Sequence, residues 1–302
     1  MYTIKQAALR SGVNVPLLRA WERRYGIVAP TRTDTGYRLY DEAAIERLRT
    51  MRALVDEGWS ARQAAERVTA AQPEELETLA GAVAAVERGN ATDAISAFVA
   101  GAARLDGAAI ERALDDMFAS GSFERIVEDR LYPALEGLGE GWARGEVDVA
   151  GEHAASSAVV RRLSMIFDAA AAAEADAPRP VLVGLPPGVR HEVAALAYAT
   201  ALRRAGIPVL YLGADVPVAS WVAAADRTNA RAVALGAVMT DDVAAADAVV
   251  SALREAPRDL VVAVGGRHAE LIGNGDVLRL PERLRDAVGA LADALEATNS
   301  LR

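Results

Sequence analysis

The sequence predicts a multidomain chain with an all-α head, then a helical bundle, then an α/β doubly wound parallel sheet. Three observations lead to this prediction. Short capped helices fill about the first 70 residues, helical periodicity runs from Pro73 to about Ala172, and after Pro180 short apolar runs alternate with amphipathic helices. Buried strands that alternate with helices favour a parallel sheet covered on both faces.

Composition limits the classes of protein. With 52% hydrophobic and 25% charged residues, the chain has the usage of a soluble globular protein. We expect a cytoplasmic protein, because the sequence has neither a long apolar run nor a secretory N-terminus. The absence of cysteine excludes disulfides and thiolate metal sites, and three histidines leave few ligands for a multi-histidine centre.

Charge is distributed unevenly along the chain. The net charge is −9, yet residues 1–70 contain twelve Lys and Arg against eight Asp and Glu, and the remainder contains 21 against 34. Because phosphate must be neutralised by Lys and Arg, this balance favours nucleic-acid binding by the head alone.

The first two helices of the head are marked by their caps. Thr3 to Gln6 form a capping box, so a helix should start there and stop at Gly12. Asn14 can cap a second helix, with Pro16 in its first turn, that runs to Tyr25. Two short helices joined by a glycine-containing turn predict a helix-turn-helix.

A hairpin and two further helices follow. Asp34-Thr-Gly36 is a turn signal and residues 37–40 alternate like a strand, which predicts a wing that can lie along a DNA backbone. Asp41 then caps a helix that ends at Gly58, and residues 60–63 open another by a capping box.

Residues 2–68 resemble the winged helix-turn-helix of MerR-type transcription regulators. The resemblance is carried by Tyr2-Thr-Ile, residues 18–26, Pro30 and residues 36–40. It implies dimers on pseudo-palindromic operator DNA. The DNA-contacting residues it implies are Arg19, Trp21, Arg23, Arg24, Tyr25, Tyr37, Arg38 and Tyr40. A surface helix with scattered arginines is the alternative interpretation.

The middle of the chain predicts four antiparallel helices, hence a bundle. Interruptions are expected at Gly89-Asn90, Asp106-Gly107, Ser120 to Ser122 and Gly137 to Gly151. The predicted domains are therefore a head at 1–70, a bundle at 73–172, a linker at 173–179 and a sheet domain at 180–302.

Ligands of a doubly wound sheet bind beyond the carboxyl ends of its strands. The loop Leu185-Pro-Pro-Gly-Val-Arg-His191 and the pair Gly265-Gly266 both follow predicted strands. Neither a three-glycine dinucleotide fingerprint nor a Gly-Lys-Ser/Thr phosphate loop is present, so NAD and ATP are disfavoured.

Residues 76–300 resemble the bundle and Rossmann-like cobalamin-binding domain of the light-sensing CarH/LitR group of MerR-type regulators. His191 on the first loop and the segment from Gly141 to His153, with Trp142 and a Glu-His pair, carry this resemblance. It implies cofactor contacts from Trp142, Val149, Glu152, His153, His191, Thr240, Gly265 and Gly266. Among them His191 would be the metal ligand, coordinating cobalt.

Each of these residues also has an ordinary structural interpretation. Trp142 could belong to the bundle core, His153 could cap a helix, and Gly265-Gly266 could form only a turn. Their joint occurrence at the spacing of the group favours the cofactor site.

The chain departs from the group at several positions. Val189 stands where an acid would orient the histidine ligand, and Ala194 stands where the group has glycine. Ala143 replaces a histidine that would follow the tryptophan, and Met239-Thr240 replaces the usual tail contact. Three alternatives remain open: altered cobalamin binding, another tetrapyrrole such as a bilin or heme, and a site that serves only a protein partner.

These observations predict a transcription repressor and not an enzyme. The head would bind operator DNA, and the body would sense adenosylcobalamin and through it light, as a dimer or tetramer. The rival from the enzyme class is a corrinoid methyltransferase or mutase module. The DNA-binding head argues against that rival, as does the lack of a nucleophile, base and orienting group in the sequence.

Overall fold

The computed structural model describes residues 1–32, 38–56, 59–72, 75, 89, 91–119, 121–170, 179–255, 259–272 and 276–300. The chain divides into two compact units, one of Met1–Ser96 with Asp115–Ser122 and one of Ala97–Leu114 with Phe123–Arg302. Within the described residues, no helix is both long and apolar enough to cross a membrane.

The head contains four helices and a small antiparallel sheet. The helices are α1 (Ile4–Ser11), α2 (Val15–Tyr25), α3 (Glu42–Asp56) and α4 (Ala61–Ala70), and the strands are β1 (Tyr2–Thr3), β2 (Thr31–Arg32) and β3 (Arg38–Tyr40). The predicted capping boxes form at Thr3 and Ser60, and α1 ends on Gly12 at φ 72°. The strands of the predicted wing, β2 and β3, form an antiparallel pair, whereas its turn at residues 34–36 lies outside the described residues. Strand β3 lies between β1 and β2, a pairing the sequence did not reveal.

The helices that follow are α5 (91–103), α6 (Gly107–Phe118), α7 (Phe123–Ile126), a π-helical segment (Val127–Leu131), α8 (Tyr132–Ala143) and α9 (Val149–Ala169). The interruption predicted at Gly137 to Gly151 is wrong in extent, because α8 continues to Ala143. Its glycines serve close packing: a methyl group on Gly141 would lie 3.0 Å from Val147 Cγ2, and one on Gly151 would overlap the carbonyl of Ala102. Most of the predicted linker, residues 173–178, lies outside the described residues.

The sheet domain confirms the doubly wound prediction. Its elements are β4 (Val181–Gly184), α10 (Val193–Arg204), β5 (Val209–Gly213), α11 (Val218–Arg227), β6 (Ala232–Gly236), α12 (Asp242–Arg254), β7 (Val261–Gly265), β8 (Leu278–Arg279) and α13 (Leu284–Ser300). The strands are all parallel in the order β5-β4-β6-β7-β8. Helix α10 packs against α13 and against α9, while α11 packs against α12. All carboxyl ends therefore meet at one edge.

Candidate functional site

Helix α2 of the head presents three arginines to solvent. Arg19, Arg23 and Arg24 are exposed, whereas Trp21 on the same helix is only 3% exposed and belongs to the head core. Trp21 therefore packs in the head core, and its contact with DNA stays a prediction. The exposed face of α2 carries the positive charge that phosphate binding requires.

The wing is attached to α2 through Glu22. Arg38 Nε donates to Glu22 Oε1 at 3.0 Å, and the Tyr40 hydroxyl donates to Glu22 Oε2 at 3.0 Å. The hydrogen bond to Glu22 raises the pKa of Arg38, and burial raises the pKa of Tyr40. Tyr40 is fully buried and helps to hold the wing on α2, and its contact with DNA stays a prediction.

Tyr25 and Tyr37 are the other two aromatic candidates of the head. Tyr25 is half-buried, and the Arg24 guanidinium lies 5.6 Å from its ring centroid. Tyr37 lies outside the described residues. The wing therefore offers Arg38 as its described candidate for DNA contact.

In the second unit, His191 lies at the end of the loop that follows β4. Its side chain is exposed, and the loop beneath it is packed, with Leu185 and Val189 buried. Glu192, directly after the histidine, accepts a hydrogen bond from the Tyr211 hydroxyl of β5 at 3.1 Å. That bond directs Glu192 toward the strand, so it does not take the place of an acid at Val189.

A cavity of about 390 Å³ lies at the carboxyl ends of β4, β6 and β7 and is lined on one side by α8. Its volume falls in the range of small-molecule sites. Gly265 and Gly266, which the resemblance assigns to cofactor binding, are among its lining residues. Gly266 has φ +97°, and a methyl group there would overlap the carbonyl oxygen of Ala237, so the glycine is needed for close approach of two backbones.

Sequence reasoning missed several lining residues. Gly184 and Gly236 line the cavity from the ends of β4 and β6, and Tyr132 lines it from α8. A signal was present, because the strands β4, β5, β6 and β7 each end in glycine. Thr240 is exposed and is not among the lining residues, whereas Val238 is.

The bundle residues predicted to cap the ligand lie at the junction of α8 and α9. Trp142 is 56% and Val149 57% exposed, which excludes a core role for this tryptophan. Asp148 caps α9 by accepting from the amide of Gly151 at 2.7 Å, so His153 is not the helix cap. Two apolar side chains thus remain uncovered where the resemblance implies contact with a ligand.

Glu152 and His153 form a polar cluster beside them. His153 Nδ1 lies 2.5 Å from Glu152 Oε2, and Ser156 Oγ donates to Glu152 Oε1 at 2.6 Å. Burial raises the pKa of Glu152, but the hydrogen bonds from Ser156 and His153 and the charges of His153 and His191 outweigh it, so the pKa is lowered. Helix α9 and the histidine loop therefore lie within electrostatic reach of each other.

The donor set suits a metal that brings its own macrocycle. His191 offers one imidazole, and its side chain is exposed. Across the same residues, no group of three or more His, Cys, Asp or Glu side chains converges as a metal site. A single protein ligand is the pattern of axial coordination to a tetrapyrrole.

Comparison with known proteins agrees with both parts of the chain. Residues 2–70 match the MerR HTH family of regulatory proteins, and residues 94–166 and 179–278 each match a B12 binding domain. The chain is 33% identical over 276 residues to the HTH-type transcriptional repressor CarH of Myxococcus xanthus, covering 89% of each chain. It is 32% identical over 237 residues to the repressor CarA of the same organism, covering 78% of this chain and 76% of that one.

One solved structure supports the fold alone. The monomethylamine corrinoid protein of Methanosarcina barkeri superposes with a TM-score of 0.52 at 17% identity, over 68% of this chain and 96% of that chain. The relatives that match most of the chain are transcriptional regulators, in agreement with the prediction that the protein is not an enzyme.

Proposed function

The chain belongs to the family of MerR-type transcriptional regulators with B12-binding domains, and on that premise we propose a repressor whose hold on operator DNA is controlled by adenosylcobalamin and by light. The observation that carries the proposal is the cavity at the carboxyl ends of β4, β6 and β7, with His191 on the adjoining loop. The domain boundaries are proposed as 1–70, 73–172 and 180–302, with a linker at 173–179.

The residues present fit the proposed ligand in three ways. His191 supplies an exposed imidazole for the metal, and the backbone at Gly265 and Gly266 lines the cavity for the nucleotide tail. Trp142 and Val149 supply uncovered apolar surface for the opposite face. When bound, adenosylcobalamin would supply a cobalt–carbon bond that light can break.

Control of DNA binding follows from linkage. A ligand that contacts both α8–α9 and the sheet stabilises one arrangement of these elements, and with it one oligomer, dimer or tetramer. Several heads on one operator raise avidity without new contacts by any single head. Because Ala143 carries no imidazole, the light-exposed state must be held by other side chains than the one after Trp142.

The first test is direct binding. Full-length protein is incubated with adenosylcobalamin in the dark and passed over a gel-filtration column, and we expect corrin absorbance to elute with the protein. Elution without corrin absorbance would overturn the proposal, and retention of a bilin or heme instead would favour another tetrapyrrole in the same cavity. His191→Ala should change the absorption spectrum of the bound cobalamin, and an unchanged spectrum would show that His191 is not the ligand.

The second test concerns DNA. Arg23→Ala should weaken binding to a fragment of the protein's own promoter and lower the slope of log K against log salt by about 1. Arg227→Ala, an exposed arginine on α11, is the matched control and should leave both unchanged. If the two substitutions affect DNA binding equally, then Arg23 of α2 is not part of the DNA-binding surface.

A further inference from the structure

The loop that carries His191 is held by the loop that follows the neighbouring strand β5. The amide of Leu185 donates to the carbonyl of Gly213 at 2.9 Å, and the amide of Val216 donates to the carbonyl of Leu185 at 3.0 Å. The amide of Asp215 donates to the carbonyl of Val189 at 3.0 Å. Three backbone bonds thus join the two loops at Leu185 and Val189.

The fourth bond comes from a side chain. The amide of Gly188 donates to Asp215 Oδ1 at 2.6 Å, across 27 residues of sequence, and Arg190 Nη2 lies 3.9 Å from Asp215 Oδ2. The carboxylate therefore lies against the segment directly before His191. Hydrogen bonds to an ionised acceptor are shorter and stronger than neutral ones.

The backbone at Asp215 is also unusual. Its φ is +54°, the left-handed region that residues other than glycine seldom adopt and that Asn and Asp tolerate best. Strained positions of this kind persist where the surrounding structure determines them, and they concentrate at ligand sites. The conformation directs the carboxylate at Gly188 while the Asp215 amide bonds Val189.

The two positions adjoining this segment cannot perform the same task. Val189 is buried and apolar, and Glu192 is bonded to Tyr211. We propose that Asp215 is the positioning residue of this site: its carboxylate fixes the loop backbone so that His191 is presented toward the ligand. The inference rests on the proposed function. It places the acid that positions the histidine loop in the loop after β5, whereas the histidine lies in the loop after β4.

Two substitutions separate the hydrogen bond from the backbone conformation. Asp215→Gly accepts φ +54° but removes the acceptor, whereas Asp215→Asn also tolerates that φ and keeps an acceptor oxygen. We expect the Gly variant to bind adenosylcobalamin roughly tenfold or more weakly in the dark, with loss of the spectroscopic signature of histidine ligation. The Asn variant should restore most of the affinity and the signature.

A second measurement needs no ligand. Hydrogen exchange of the Gly188 amide should accelerate in Asp215→Gly relative to wild type and to Asp215→Asn, while amides of β6 and β7 stay unchanged. Unchanged exchange and ligation in the Gly variant would overturn the inference. So would retained Gly188 protection with loss of histidine ligation in the Asn variant, because the loop would then be fixed without presenting His191; this outcome decides the matter even if the Gly variant folds poorly.

The two proposals fail in distinguishable ways. Wild-type protein that binds no adenosylcobalamin contradicts the proposed function, yet the exchange of Gly188 still tests the loop. Wild-type protein that shows His191-dependent ligation, with both Asp215 variants indistinguishable from it, keeps the proposed function and removes Asp215 from the site.

Discussion

The head and the sheet domain build their candidate sites in opposite ways. In the head, three exposed arginines lie within six residues on one capped helix, and a single acid, Glu22, ties the wing to that helix. At the edge of the sheet, the cavity is lined by residues near 132–136, 183–185 and 265–267, the histidine loop adjoins it, and the carboxylate of Asp215, 27 residues from Gly188, bonds that loop. A site on one helix depends mainly on local folding, whereas a site at strand ends depends on every strand that reaches the edge.

The largest effect is expected in the head core. Trp21→Ala removes a buried side chain beneath the exposed arginines and should lower the free energy of unfolding of the head by about 3–5 kcal/mol. Hydrogen exchange of α2 and α3 amides measures this. Trp59→Ala, whose ring is 43% exposed, is the matched control and should cost less than about 1 kcal/mol. Similar losses for both tryptophans would contradict the packing role of Trp21.

The next effect belongs to the edge of the sheet. Gly266→Ala forces a side chain onto φ +97° and into the Ala237 carbonyl, so stability should fall by about 2–4 kcal/mol. Gly289→Ala, in the exposed middle of α13 with open space around it, should instead be neutral or stabilising by up to about 1 kcal/mol. Chemical denaturation followed by circular dichroism measures both. If Gly266→Ala is as stable as wild type, then the backbone at this edge of the sheet can shift to make room for a methyl group.

A smaller loss of stability is expected when the link between the wing and helix α2 is weakened. Glu22→Gln keeps the shape of the side chain but removes the charge that accepts from Arg38 and Tyr40, which should cost about 1–2 kcal/mol. Glu66→Gln is the control, because its pair with Arg62 is exposed and should contribute less than about 0.5 kcal/mol. If both substitutions lower the midpoint of thermal unfolding equally, then Glu22 does not stabilise the attachment of the wing to α2.

The smallest expected effect tests whether helix α9 and the histidine loop contribute to one site. The pKa of Glu152 is lowered from its ordinary value of 4.5, so its stabilising contribution is complete above that value and is lost as pH falls through the lowered pKa. Ser156→Ala should raise this pKa, and His191→Ala should raise it by less. Carboxyl ¹³C NMR titration measures both. If the pKa of Glu152 is the same in His191→Ala as in wild type, then His191 has no electrostatic effect on α9.

Local features of the fold could be predicted from the sequence. Thr3, Asn14 and Ser60 cap their helices as expected, because a cap depends on residues three positions away. The glycines at 137 and 141 misled the prediction, because they lie inside α8 where Val99 and Val147 pack too closely for a side chain, and no local pattern records that packing.

The candidate sites divide in the same way. Arg19, Arg23 and Arg24 keep the exposure that their helical positions imply, but the burial of Trp21 and Tyr40 depends on which face α2 and β3 turn to the core. In the body, Gly265 and Gly266 lie at the end of a strand as their position in the sequence implies, whereas the contributions of Tyr132 and Gly236 require the packing of α8 and the order of the strands.

The sequence by itself therefore determined the order of the domains, the helix boundaries set by caps, the basic head and the position of His191 after the first strand of a parallel sheet. Only the tertiary structure decided that the Asp215 carboxylate bonds the histidine loop, that His191 lies close enough to Glu152 to help lower its pKa, and that Trp21 packs in the head core. The physical reason is range: capping, periodicity and charge act within a few residues, whereas burial and hydrogen bonds between loops arise only when distant segments meet in the folded chain.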